Sequence, residues 1–138
     1  MHSLNTIKEQ NKSNAKKLID LTIKNGGVSF NNNLEPLALK EGFAVGIEEV
    51  FFGDNLEELE RTLNKLESYK ATFTDASQGN TITKGFYGIW VDSKGIFYLD
   101  KSINILDYQT AVNYGKKFEQ ISIYDFKNEI EINLEGGN

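Results

Sequence analysis

Cysteine is absent from the 138 residues, and histidine and proline occur once each. Without cysteine there is no disulfide, thiol nucleophile, iron–sulfur cluster or cysteine-ligated zinc, so packing alone must hold the core. The lone histidine, His2, stands at the chain end, which nearly excludes histidine general bases, Ser-His triads and histidine-clustered metal sites. Long apolar runs are missing too. Stretches such as 42–47 and 85–91 fall far short of the roughly 18 residues that a membrane span needs. No secretion signal is expected, because Lys8, Glu9, Gln10, Asn11 and Lys12 interrupt any apolar run at the start. Positive charge is also scarce: 15 Lys and Arg stand against 20 Asp and Glu, for a net charge of −5, and Arg61 is the only arginine. That balance disfavours long DNA or RNA as a partner, although a few local cations suffice for a small phosphate ligand.

What is present is a chain of one-domain length, 39% hydrophobic and 12% aromatic, which supplies the large buriable surfaces that disordered sequences lack. Residues 3–25 place Leu4, Ile7, Asn11, Ala15, Leu18 and Thr22 on one helical stripe, with Ile19 and Ile23 alongside. The Asn25-Gly26-Gly27 sequence closes this helix. Residues 28–30 and 42–47 then read as two strands of a loose hairpin, with 34–40 as a loop between them. Asp54 stands where an N-cap should, before Leu56, Leu59, Leu63 and Leu66 at helical spacing. Residues 72–84, rich in Thr, Ser, Gln, Gly and Asn, read as a mobile loop and candidate lid.

Residues 86–92 and 96–100 flank Ser93-Lys94-Gly95 and predict a hairpin. Residues 104–118 predict a helix with Tyr108, Ala111, Val112, Gly115 and Phe118 inward. A glycine inside a helix costs about 1 kcal/mol against alanine, so close packing or a ligand is expected at Gly115. Strands follow at 121–124 and 129–134, and 134–138 is a frayed tail. The order α-β-β-α-β-β-α-β-β defines a single α+β domain, 1–138, with a largely antiparallel sheet and three helices.

Two constellations carry chemistry. Asp92, Asp100 and Asp125 at strand ends suit an acid–base pair or a magnesium site, against the blander role of capping turn amides with their own side chains. Between residues 86 and 120, Phe86, Tyr87, Trp90, Phe97, Tyr98, Tyr108 and Tyr114 offer ring faces. Asn113 and Gln120 offer amides, and Lys116-Lys117 offers charge. Stacking at about 1 to 3 kcal/mol per base, with lysines on phosphate, suits a nucleotide-like ligand. Packing alone also accounts for such rings on a hairpin.

The 86–92 run FYGIWVD, the strand 96–100 with Ser102, then Ala111, Gly115-Lys116-Lys117, Gln120 and Ile123-Tyr124-Asp125 resemble a family of small phage proteins, the Thoeris anti-defence 1 family. Residues 25–30 and 42–45 fit its glycine-punctuated hairpin, and the likeness spans roughly residues 5 to 133. The resemblance implies capture, without cleavage, of the cyclic ADP-ribose isomers that infected bacteria make as an alarm. It implies symmetric homo-oligomers in the cytoplasm of an infected bacterial host, with no cofactor, no metal, no membrane and no catalytic residue. Carried over, the ligand-binding positions are Phe86, Trp90, Asn113, Lys116 and Lys117. Arginine belongs at the family's phosphate clamp. Here Asn113 and lysines stand instead, so bidentate gripping of phosphate is lost and the ligand extends to a cyclic oligonucleotide. Two other readings remain: an acidic phage inhibitor of a host protein, and a metal-dependent nucleotide hydrolase built on Asp92, Asp100 and Asp125.

Overall fold

The computed structural model describes residues 4–134, with side chains from residue 14 onward. His2 and residues 135–138 of the expected tail lie outside the described residues, as do the side chains of Leu4, Ile7 and Asn11. Helix α1 (Leu4–Asn25) leads through Gly26, at φ +87°, into β1 (Gly27–Phe30). It buries Ala15, Leu18, Ile19 and Thr22, and the Thr22 hydroxyl donates to the Leu18 carbonyl at 2.7 Å. Ile23, expected alongside, is exposed.

Strand β2 (Phe43–Gly53) runs well past the expected 42–47. Strands β1 and β2 do not form a hairpin: β1 pairs with β5 (Phe86–Val91), and β2 pairs with β6 (Phe97–Ile105) and β7 (Ser122–Asp125). The physical reason is length, because β2 offers eleven residues to a nine-residue β6 and satisfies far more backbone there than four-residue β1 could. Helix α2 (Leu56–Leu63) is capped by Asn55 and not by Asp54; the Asn55 side-chain Oδ1 accepts from the Glu58 backbone amide at 3.0 Å. Asn is as good a cap as Asp, and its position three residues before Glu58 closes the first turn. Leu59 and Leu63 are buried as expected, while Leu56 is exposed.

The 72–84 segment, expected as a loop, is largely strand. It forms an antiparallel hairpin of β3 (Lys70–Asp75) and β4 (Gly79–Lys84), with Phe73 and Asp75 buried. Alternate β-branched residues fit a pleated surface with one wet face, which explains a strand pair so poor in apolar residues. The β5–β6 hairpin is as expected, turning at Gly95 with φ +83°. Asn104 and Ile105 belong to β6, and α3 (Tyr108–Lys117) starts later than the sequence suggests, behind an Asp107 cap. Gly115 is explained by packing, since a Cβ there would stand 2.5 Å from Leu134 and 2.9 Å from Ile123. Leu134 is itself buried and donates its amide to the Ile121 carbonyl, so the tail does not fray at this residue.

The result is the expected single α+β domain with three helices and a six-stranded antiparallel sheet, ordered β1-β5-β6-β2-β7-β8, where β8 is Ile130–Asn133. The regular alternation of β6 puts Phe97, Leu99, Ile103 and Ile105 on one face. At one end that face packs on α1 and α2 through Leu18, Leu59 and Leu63; at the other it packs on α3 and Phe73. Tyr98, Asp100 and Ser102 lie on the opposite face, on which no described helix packs.

Candidate functional site

The β3–β4 hairpin turns one face inward and leaves the other in water. Lys70 pairs with Lys84, Thr72 with Ile82, and Thr74 with Asn80, all six exposed. This face therefore carries two cations side by side, hydroxyls and an amide, and no carboxylate, because Asp75 is buried. Like charges directly opposite each other on a sheet are unfavourable. Among the described residues neither lysine has an ion-pair partner; the ion pair there joins Lys101 and Glu48 at 3.5 Å. An anion would relieve the repulsion.

Three hydrogen bonds seat the hairpin against α3 and the end of β6. The Thr74 amide donates to the Tyr114 hydroxyl at 3.1 Å, and the Ala76 amide to the Thr110 hydroxyl at 3.1 Å. The Leu106 amide donates to Asp75 at 3.2 Å. Burial alone would raise the Asp75 carboxyl, but hydrogen bonds from Ser77 and from the Leu106 amide hold it below its ordinary value, so it stays a charged acceptor. Between hairpin and helix lies an open cleft of about 470 Å³, walled by Phe73, Thr74, Asn80, Ile82 and Tyr114. The Lys117 ammonium stands 5.4 Å from the centre of the Tyr114 ring and 5.9 Å from that of Phe118. A ring for stacking, hydroxyls and an amide for hydrogen bonds, and a cation beside the ring are thus gathered at one place.

The five residues expected to bind ligand do not form one site. Lys116, Lys117 and Asn113 are exposed on α3, with Asn113 accepting from the Gln109 amide at 3.1 Å. Of these, Lys117 stands over a wall of the cleft. Phe86 and Trp90 alternate with Tyr87 and Ile89 and so point to the sheet face opposite α3. Phe86 is buried against Phe126, whereas Trp90 is 38% exposed and stacked on Tyr98. The cleft residues missed by sequence reasoning are Thr72, Thr74 and Asn80, with Lys70 and Lys84 farther along the same hairpin face. Their signal was threonine at every second position on both sides of a polar turn.

The three carboxylates are not gathered as a metal site, and among the described residues no group of three His, Cys, Asp or Glu is. Asp92 accepts from the Ile96 and Lys94 amides and from the Tyr98 hydroxyl, and those bonds hold its carboxyl below the usual range. Asp125 is lowered by the Asn128 side chain and by the amides of its turn. Both therefore cap turns. Asp100 differs: half-buried and paired across the strands with Glu49, its carboxyl is pushed up to about 6 by burial first and by Glu49 second. No helix among the described residues is long and apolar enough to cross a membrane.

No family model, curated protein or solved structure matches the chain. What it does must be read from its own residues.

Proposed function

We propose that the protein captures a small cyclic nucleotide, a cyclic ADP-ribose isomer or a cyclic oligonucleotide, and holds it without cleaving it. The observation that carries this reading is the cleft beside Tyr114, with Lys117 against the ring and the Lys70–Lys84 pair on the adjoining hairpin face. The base stacks on Tyr114, the Thr74 and Asn80 side chains meet its edges or the ribose, and the lysines neutralise phosphate as point charges. In a chain of net charge −5, Lys117 over a wall of a cleft with no carboxylate in its lining, and two more lysines farther along the hairpin face, favour an anionic ligand over a cationic one. Capture needs stacking, charge and exclusion of water, and no nucleophile–base pair. On this reading the protein is a phage anti-defence factor, acting as a homo-oligomer in the cytoplasm of an infected bacterium, in keeping with the family it resembles.

The test is a thermal-shift titration with a panel of cyclic nucleotides, followed by heat release of whatever is bound. A ligand present at 100 times its dissociation constant adds about 2.7 kcal/mol to stability. Intact nucleotide recovered after denaturation is the expected result. Linearised product would mean a hydrolase, and the absence of any shift across the panel would remove the nucleotide reading. Light scattering on the same samples, showing a monomer of 15.6 kDa throughout, would remove the oligomer.

A further inference from the structure

The second notable surface lies on the opposite face of the main sheet. There the Trp90 indole lies parallel to the Tyr98 ring, with centroids 3.9 Å apart, and Phe52 meets Tyr98 edge-on at 5.1 Å. Phe52 is 58% exposed. Tyr98 covers one side of the indole. On the other side the residue paired with Trp90 is Gly27, which has no side chain to cover the second ring face. Two residues along, Asp100 pairs with Gly88, so its carboxylate also faces a position without a side chain. The exposed aromatic ridge thus has two glycines at the positions paired with Trp90 and Asp100, and the Asp100 carboxylate stands two residues along from Tyr98.

The surrounding charge is predominantly acidic. Glu49 pairs with Asp100 from β2, and Asp92 is held to Tyr98 by a hydrogen bond of 3.2 Å. The nearby cation, Lys94, sits in the turn and acts on Asp92. Lys101, next to Asp100 in sequence, points to the opposite face, where its ammonium lies 5.1 Å from the Tyr69 ring centre. Neither Asp100 nor Glu49 has an ion-pair partner among the described residues. Burial and Glu49 raise the Asp100 carboxyl, as expected where two acids share a surface without a cation.

We infer that this face docks a basic segment of a partner protein, with an arginine of that segment stacked on the exposed Trp90 indole and a neighbouring arginine on the Asp100 and Glu49 carboxylates. A planar, weakly hydrated guanidinium suits both interactions that this face offers, ring stacking and bidentate contact with a carboxylate. A nucleotide phosphate is repelled here. A second copy would set acid against acid. The surface is independent of the cleft beside Tyr114, so either proposal can fail without the other.

Trp90 is the only tryptophan, so its fluorescence reports this face alone. The protein is titrated with a nonapeptide of alternating Arg and Ser, with its Lys counterpart, and with a Glu counterpart. We expect a saturable change in indole emission with the Arg peptide, a weaker one with Lys and none with Glu. Asp100→Asn and Glu49→Gln should each weaken the Arg peptide by about tenfold or more, as loss of one partner of a close charge pair does. The second variant keeps the test alive if the first does not fold, as judged by circular dichroism. Unchanged emission, equal binding of Arg and Lys peptides, or undiminished affinity in the folded variants would overturn the assignment. Emission that shifts with protein concentration alone, together with dimer by light scattering, would assign the face to a second copy and overturn it equally.

Discussion

Tyr69 fills the space that a side chain on Gly85 would need. The Gly85 amide donates to the Tyr69 carbonyl at 2.9 Å, and a Cβ on Gly85 would stand 1.9 Å from Cε2 of the ring. This fit lets the phenol reach between β5 and β6, where it accepts from the Ser102 amide at 2.6 Å and donates toward the Phe86 and Ser102 carbonyls. One phenol thereby stands in for ladder bonds at the end of the β5–β6 pairing. Gly85→Ala should therefore cost more than an ordinary surface change, about 1 to 3 kcal/mol for overpacking. Tyr69→Phe should cost about 1 to 3 kcal/mol by leaving the Ser102 amide without its acceptor. Urea denaturation measures both, and a loss under about 0.5 kcal/mol in each would show that the phenol does not hold the strands.

Leu59 and Leu63 are 0% and 1% exposed, on the one face of α2 that meets the sheet. Truncation to alanine leaves a cavity that rigid neighbours cannot close, so each should cost about 2 to 5 kcal/mol. Leu56→Ala, at 48% exposed on the same helix, should cost far less. Equal losses at Leu56 and Leu59 would contradict this orientation of the helix.

Whereas Leu56 is exposed and Leu66 lies past the end of α2, the Leu59–Leu63 half of the expected leucine stripe was legible from its four-residue spacing. So was the β5–β6 hairpin, whose alternating rings and turn glycine agree on one register. The β3–β4 hairpin was not. Its inner face contributes Phe73 as its one large apolar residue, and its stability comes from bonds to Tyr114, Thr110 and Leu106, more than 30 residues away. Polarity read as mobility for that reason. The site was half legible: Lys117 and Tyr114 were singled out, but alternation sends Trp90 to the opposite face, a separation that depends on which side of the sheet α3 packs. The β1–β5 pairing, like any non-local strand order, has no signature in local sequence.

Asp100 gives stability an inverted pH dependence. Its carboxyl is at about 6 in the folded chain against an ordinary value of 3.8, so the folded state binds the proton more tightly than the unfolded one. The strain of the charged form is fully relieved below about pH 4 and returns as pH rises through 6. Asp100→Asn should then be more stable than the parent at pH 7.5, by about 1 kcal/mol once solvent screening is allowed for, and no more stable at pH 4. Comparing the two chains at each pH cancels the other acids. A gain independent of pH would mean that burial and Glu49 do not act on the charge.

The last prediction separates the lysines of α3. Lys117 stands over the rings of Tyr114 and Phe118, whereas Lys116 is exposed and stands over no ring. If phosphate lies beside Tyr114, Lys117→Glu replaces attraction with repulsion in a partly dehydrated cleft and should weaken cyclic-nucleotide capture by about a hundredfold or more. Lys116→Glu, farther round the helix and in open solvent, should weaken it by about tenfold or less. The stability of the free protein should move by only about 0.5 kcal/mol in either variant, since exposed lysines contribute little to folding. Lys70→Glu, on the neighbouring hairpin face, should resemble Lys117→Glu if the ligand spans both elements and Lys116→Glu if it rests on α3 alone. Calorimetry reads all three. Affinity that survives charge reversal at both Lys117 and Lys70 would place the ligand away from this cleft, because no remaining cation stands over its tyrosine to hold a phosphate there.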